Sequence, residues 1–147
     1  MKLNKTSSVA AVLSVLSFNS VVSAIATLTV CTVVGDASVP SSSFQGGNLF
    51  TIHIENVPDV SESTICGHSD SDIHSAADSF STRVTSVIAC STSRVGNDQN
   101  FMDLNVRFDK QSPSVQLSAL QNGITAAFGS QGVDFDASKC DISGIPS

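Results

Sequence analysis

Four cysteines, Cys31, Cys66, Cys90 and Cys140, constrain this chain more than any other feature, because their number is even and they are spread over most of its length. Thiols in such a pattern pair in an oxidising compartment, and the amino-terminal segment supplies the route to one. Lys2 and Lys5 carry positive charge, an apolar run extends from Val9 to Phe18, and small residues follow, which is the order of parts in an export signal. Ser14 and Ser17 interrupt the run, which is too short to persist as a spanning helix of ~20 apolar residues. Residues 1–24 are therefore expected to be removed, with cleavage after Val22-Ser23-Ala24 or after Ala24-Ile25-Ala26. What remains, Ile25 to Ser147, is read as one secreted, extracellular domain without stable membrane anchoring.

Three disulfide pairings are open to four cysteines. None of the spacings is C-x-x-C, so neither a zinc knuckle nor a thioredoxin-type redox site is indicated. A Cys31–Cys140 bridge closes nearly the whole chain and removes roughly 4–5 kcal/mol of unfolded-state freedom on the chain-entropy model. The expected set is thus Cys31 with Cys140 and Cys66 with Cys90, against the alternative of a Cys31–Cys90 staple between first strand and first helix.

All 13 acids follow the signal, whereas two of the seven cations lie inside it. Arg83, Arg94, Arg107, Lys110 and Lys139 are the cations left, and the chain has neither Trp nor Tyr. An acidic surface without base-stacking platforms disfavours nucleic acid and anionic membranes as partners.

Hydrophobic period places the elements. Ala26–Val34 alternates as a half-buried strand, with Leu28, Val30 and Val34 expected on one face. Gly35 to Asn48 is Ser, Gly and Pro-rich loop. In Leu49–Val57, Phe50, Ile52 and Ile54 face one way while Thr51, His53 and Glu55 face the other. Ile73, Ala76, Ala77, Phe80, Val84, Val87 and Ile88 then recur at helical steps, predicting a first helix of about 18 residues that Cys90 closes, with Asp70 and Asp72 in or just before its first turn. A competing reading makes Thr82 to Cys90 a strand. Phe101–Lys110 alternates again, with Met102, Leu104, Val106 and Phe108 opposed to Asp103, Asn105 and Arg107. Ser112-Pro113 opens a second helix striped by Leu117, Leu120, Ile124, Ala127 and Phe128, with Gly129 and Gly132 as its stop and a short strand over Gly132–Asp136. The expected fold is α+β: a two-layer α/β sandwich, an antiparallel sheet of about four strands covered on one face by two helices, with two disulfides.

Candidate chemistry is sparse. Gly67-His68-Ser69-Asp70-Ser71 lacks the second glycine of a G-x-S-x-G nucleophile elbow. His68, Asp70, Asp72 and His74 cluster nitrogen and oxygen donors suited to a divalent ion, which makes a secreted hydrolase or metal-binding protein the alternative reading. Their place at a helix start accounts for them equally well, so no metal or cofactor is expected. Asp134 and Asp136 with Asp103 or Glu55 offer carboxylates but no aromatic sugar platform. No catalytic residue is assigned.

The order of elements resembles that of the KP6-type killer toxins and the small secreted fungal effectors of the same fold: Cys31 in a first strand, Cys90 closing a first helix, the strand Phe101–Lys110, the helix from Ser112 to Phe128, and Cys140 in a final strand. The chain departs from that family in having fewer cysteines, an added strand at Leu49–Val57 and no dibasic processing site. Phe101-Met102-Asp103 is also similar to a strand opening in the Alt a 1-like secreted fungal β-barrels, an all-β alternative. The first resemblance implies a non-enzymatic, monomeric effector, virulence factor or killer-toxin-like protein that binds a host or competitor protein. Period places the candidate partner surface on the uncovered sheet face: His53, Glu55, Asp103, Asn105 and Arg107, with Thr51 beside them.

Overall fold

A computed structural model describes residues 25–35, 47–85, 88–95, 99–109, 112–143 and 145. The expected export signal over 1–24 lies outside the described residues, as does Val87. The elements are β1 (Ala26–Gly35), β2 (Asn48–Glu55), α1 (Glu62–Ser79), β3 (Ala89–Val95), β4 (Gln99–Phe108), α2 (Pro113–Phe128) and a short β5 (Val133–Asp134). The strands form one sheet in the order β3-β4-β2-β1-β5.

The α+β sandwich with two helices and two disulfides is present, with a sheet close to the expected one. Among the described residues it has five strands, and it is mixed, because β5 pairs parallel with β1 while the other pairs are antiparallel. Strands β2 and β3 are parallel to each other with β4 between them and are joined through α1. Strands β4 and β5 are likewise parallel and joined through α2. Parallel crossovers are right-handed. These two run in opposite directions and step opposite ways across the sheet, so the same hand places both helices on one face. There Phe50, Ile52, Ile54, Met102, Leu104, Val106 and Phe108, all fully buried, meet Ile73, Leu120 and Ile124. Phe50 and Phe108 pack edge to face at 5.6 Å between centroids, an arrangement contributing roughly 0.5–1.5 kcal/mol beyond area burial.

Helix α1 has the expected length but not the expected place. It starts at Ser61, whose hydroxyl accepts from the Thr64 amide at 3.3 Å. It ends where Ser81 adopts a positive φ of 55°, a conformation costly for a residue with a Cβ. Its buried stripe is Ile65, Ser69, Ile73 and Ala77. Two of these four are small or polar, so the helix shows a hydrophobic period only in its second half. Asp70 and Asp72 consequently sit mid-helix, and the first-turn acid is Glu62. Beyond the helix, Val84 bridges to Phe108 and Thr85 N–H donates to the Arg107 carbonyl at 2.8 Å. Strand β3 follows, so Cys66 lies within α1 and Cys90 within β3, not at the end of a helix.

The faces of β1 are also corrected. Leu28 pairs with Ile54 but Val30 pairs with His53, so one residue is inserted between them. Such a bulge inverts the alternation beyond it. Leu28, Cys31 and Val33 point into the core, while Val30 and Val34 face outward, 46% and 61% exposed. The inversion turns Cys31 toward Cys140, to which it is bonded.

The helices approach closely because α2 presents Ala119, Gly123 and Ala127 at four-residue steps. A Cβ on Gly123 would fall 2.6 Å from the Ile73 Cα, so only glycine permits this crossing. At the other end of α2 the fully buried Gln116 amide accepts from Asn48 Nδ2 at 2.8 Å and donates to the Asp109 carbonyl. Both polar groups are thus satisfied inside the core, as burial requires. Gly129, at φ 51°, ends the helix in a conformation that favours glycine.

Candidate functional site

With both helices on one side, the opposite face of β1, β2, β4 and β3 is left uncovered by the other described elements, and register fixes its neighbours. Across the sheet run the rows Ala89, Asn105, Thr51 and Thr32; then Ser91, Asp103, His53 and Val30; then Ser93, Phe101, Glu55 and Thr27. Arg107 lies opposite Leu49, which in turn lies opposite Val34. The six residues expected on this face, Thr51, His53, Glu55, Asp103, Asn105 and Arg107, are therefore together on β2 and β4.

They form specific pairs. His53 Nδ1 lies 2.6 Å from Asp103 Oδ1, and Thr51 Oγ1 donates to Asn105 Oδ1 at 2.9 Å. The His53 ring also stacks on Phe101, with centroids 5.4 Å apart and planes 22° from parallel. The His53 and Asp103 side chains are 30% and 52% exposed, so water screens the pair and its contribution to stability is about 0–1 kcal/mol. What the pairs do is hold hydrogen-bonding groups at set positions. Val30, Val34 and Phe101 add apolar surface to this face. Phe101 follows from the same period that places Asp103, but the two valines were hidden by the bulge.

The other candidates disperse. His68 and Asp70, two residues apart on α1, point in nearly opposite directions around the helix, and the nearest approach within the set is Asp70 Oδ1 to His74 Nε2 at 3.8 Å. Among the described residues no three His, Cys, Asp or Glu side chains gather as metal ligands would. Ser69, the serine of the elbow-like stretch, is fully buried in mid-helix with its hydroxyl against the Met102 sulfur at 3.9 Å. Asp134 lies 3.7 Å from Lys139, and Asp136 caps a 3-10 turn by accepting from Ser138. Asp134 lies opposite Thr27 of β1, which in turn lies opposite Glu55 of β2.

Hydrogen bonds from the Ser138 hydroxyl and amide hold the Asp136 carboxyl below its ordinary value of 3.8, and those from Ser143 do the same for Asp141. Both acids flank Cys140. Cys31 and Cys140 are bonded with both residues buried, and Cys66 and Cys90 are bonded with both partly exposed. Among the described residues no helix is long and apolar enough to cross a membrane.

A shallow cleft of about 210 Å³ lies where the β2–α1 connection passes the end of β3. It is lined by Val57, Pro58, Asp59, Val60, Thr92, Ser93, Arg94 and Asn100. Its volume is under the roughly 300–1,000 Å³ of small-molecule sites.

No family model matches this chain, and no curated protein or solved structure is significantly similar to it.

Proposed function

We propose that this chain is an exported, disulfide-bonded binding domain of the effector or killer-toxin-like kind, which acts by engaging a host or competitor protein and carries out no chemistry of its own. The observation that carries the reading is the uncovered sheet face, where His53–Asp103 and Thr51–Asn105 are held as cross-strand pairs beside exposed apolar residues. Interfaces combine such ordered polar groups with apolar contacts. The export-signal pattern and the two bridged cysteine pairs support an extracellular setting. Cleavage before Ile25 suits the fold better than cleavage before Thr27, because Ala26 is buried and pairs with Val133 at the start of β5.

The test is capture of partners from extracts of candidate hosts on immobilised oxidised protein, alongside the double variant His53→Ala, Arg107→Ala. A partner retained by the native surface and lost by the folded variant supports the reading. Equal retention by both removes this face from it.

A further inference from the structure

We infer that the outer edge of β3 is a second binding site, one that takes an extended, basic segment of a partner chain as an added strand. The inference concerns a surface different from the sheet face discussed above and does not depend on it.

Strand β3 lies at the end of the sheet and pairs along all seven residues with β4 on its inner side. The disulfide to Cys66 of α1 shows that the Cys90 side chain points to the helix side, and period two places Thr92 and Arg94 on that side as well. The main chain alternates in the same way. Thr92 N–H is bonded not to β4 but to Glu62 Oε2, at 3.0 Å, and the Thr92 hydroxyl bonds the same oxygen at 3.2 Å. The Thr92 amide therefore faces away from the sheet, and a carboxylate oxygen occupies the position where the carbonyl of a neighbouring strand would sit.

In strand addition, main-chain hydrogen bonds supply affinity and pockets for alternate side chains supply specificity. Both parts are present. Directly opposed residues of an antiparallel pair share a face, so a residue set against Thr92 or Arg94 directs its side chain to the helix side. There the cleft offers Val57, Pro58 and Val60, with room for one side chain of ordinary size. Charge selects the rest of the segment. When an incoming carbonyl displaces Glu62 from Thr92, the released carboxylate needs a counter-charge, because Arg94 at the same cleft already stands 3.9 Å from Asp59. A segment with Lys and an apolar residue two positions apart carries both on one side, so it answers Glu62 and fills the cleft. A second copy of this chain fits less well, because seven cations against 13 acids make copies repel.

The probe is the acetylated and amidated peptide Thr-Lys-Thr-Val-Thr-Lys-Thr, whose Lys and Val share one face, titrated into the oxidised, isotope-labelled protein. The expected result is that the amides of Cys90 and Thr92 shift most, and that a peptide N-methylated at alternate residues binds roughly tenfold or more weakly, the equivalent of about 1.4 kcal/mol. Thr92→Pro, which removes the outward N–H from an edge strand, should also abolish binding. If that variant does not fold, the N-methylated peptide tests the same bond on the unaltered protein. His53→Ala with Arg107→Ala should leave peptide affinity unchanged. The inference is overturned by undiminished binding of the N-methylated peptide, by shifts centred on His53 and Asp103, by no binding at millimolar peptide, or by dimerisation through β3 without peptide.

Discussion

The two edges of the sheet are secured by different means. At the β5 edge a two-residue strand lies parallel to β1, and the chain then returns so that Asp141 N–H donates to the Cys31 carbonyl at 2.9 Å and Val33 N–H to the Asp141 carbonyl at 3.1 Å. A buried disulfide spanning 109 residues locks that return. At the β3 edge a seven-residue strand is held by a partly exposed disulfide spanning 24 residues and by the Glu62 carboxylate. One edge is thus closed by main chain and a long covalent loop. The other is only screened by a side chain, and a screen can be displaced where a paired strand cannot.

Removing the disulfides separates the two edges most sharply. On the chain-entropy model Cys31→Ser with Cys140→Ser costs about 4–5 kcal/mol and Cys66→Ser with Cys90→Ser about 3–4 kcal/mol, because the closed loops differ in length. Against a total of roughly 5–15 kcal/mol for small domains, the first pair should leave the protein close to unfolding. Urea unfolding of both double variants measures the difference, and an equal or reversed order would break the comparison.

A smaller effect is expected from Gly123→Ala. The new methyl group meets the Ile73 backbone, and overpacking of this kind costs roughly 1–3 kcal/mol. Because α1 carries both Cys66 and Glu62, its displacement should be felt at β3. Amide exchange should rise at Cys90 and Thr92 and stay unchanged at Asp141. Uniform acceleration across the sheet would mean that α1 does not act on one edge selectively.

Acid should do the converse. Asp136 and Asp141 have lowered pKa values in the folded protein. Their contribution is therefore complete above the unfolded value and is lost as pH falls through the folded one. Below pH 3.8 the turns on either side of Cys140 should loosen, with faster exchange of the Ser138 and Ser143 amides after correction for intrinsic rates. Protection that persists through this range would show that the disulfide alone holds the β5 edge.

The uncovered face lies between the edges and should matter least to stability. His53→Ala with Arg107→Ala removes exposed cross-strand contacts, each contributing roughly 0.2–1 kcal/mol, so the melting temperature should fall by only a few degrees. A large loss would show that these residues support the sheet as well as a partner surface.

Strands β2 and β4 were legible because strict alternation of large apolar and polar residues is itself the signature of a half-buried strand. The same period placed His53, Asp103, Thr51 and Asn105 outward. Strand β3 was not legible, since its helix-facing residues are Cys90, Thr92 and Arg94, the first two held by a disulfide and a hydrogen bond instead of apolar packing. The start of α1 was obscured for a similar reason: Ser69, a polar residue, occupies a fully buried core position against Met102. The bulge in β1 left no mark in a run where Thr and Val alternate on either parity.

Local pattern alone specified the α+β composition, the polar outer face and the second helix, because periods of 2 and 3.6 and a Ser-Pro helix start express the geometry of neighbouring residues along one chain. Tertiary contact decided the rest: the parallel return of β5, the inverted faces of β1, the pairing of His53 with Asp103, and the difference between the two edges. Each of these depends on which distant residue lies opposite, and that choice is settled when register, disulfide reach and helix contact must be satisfied together.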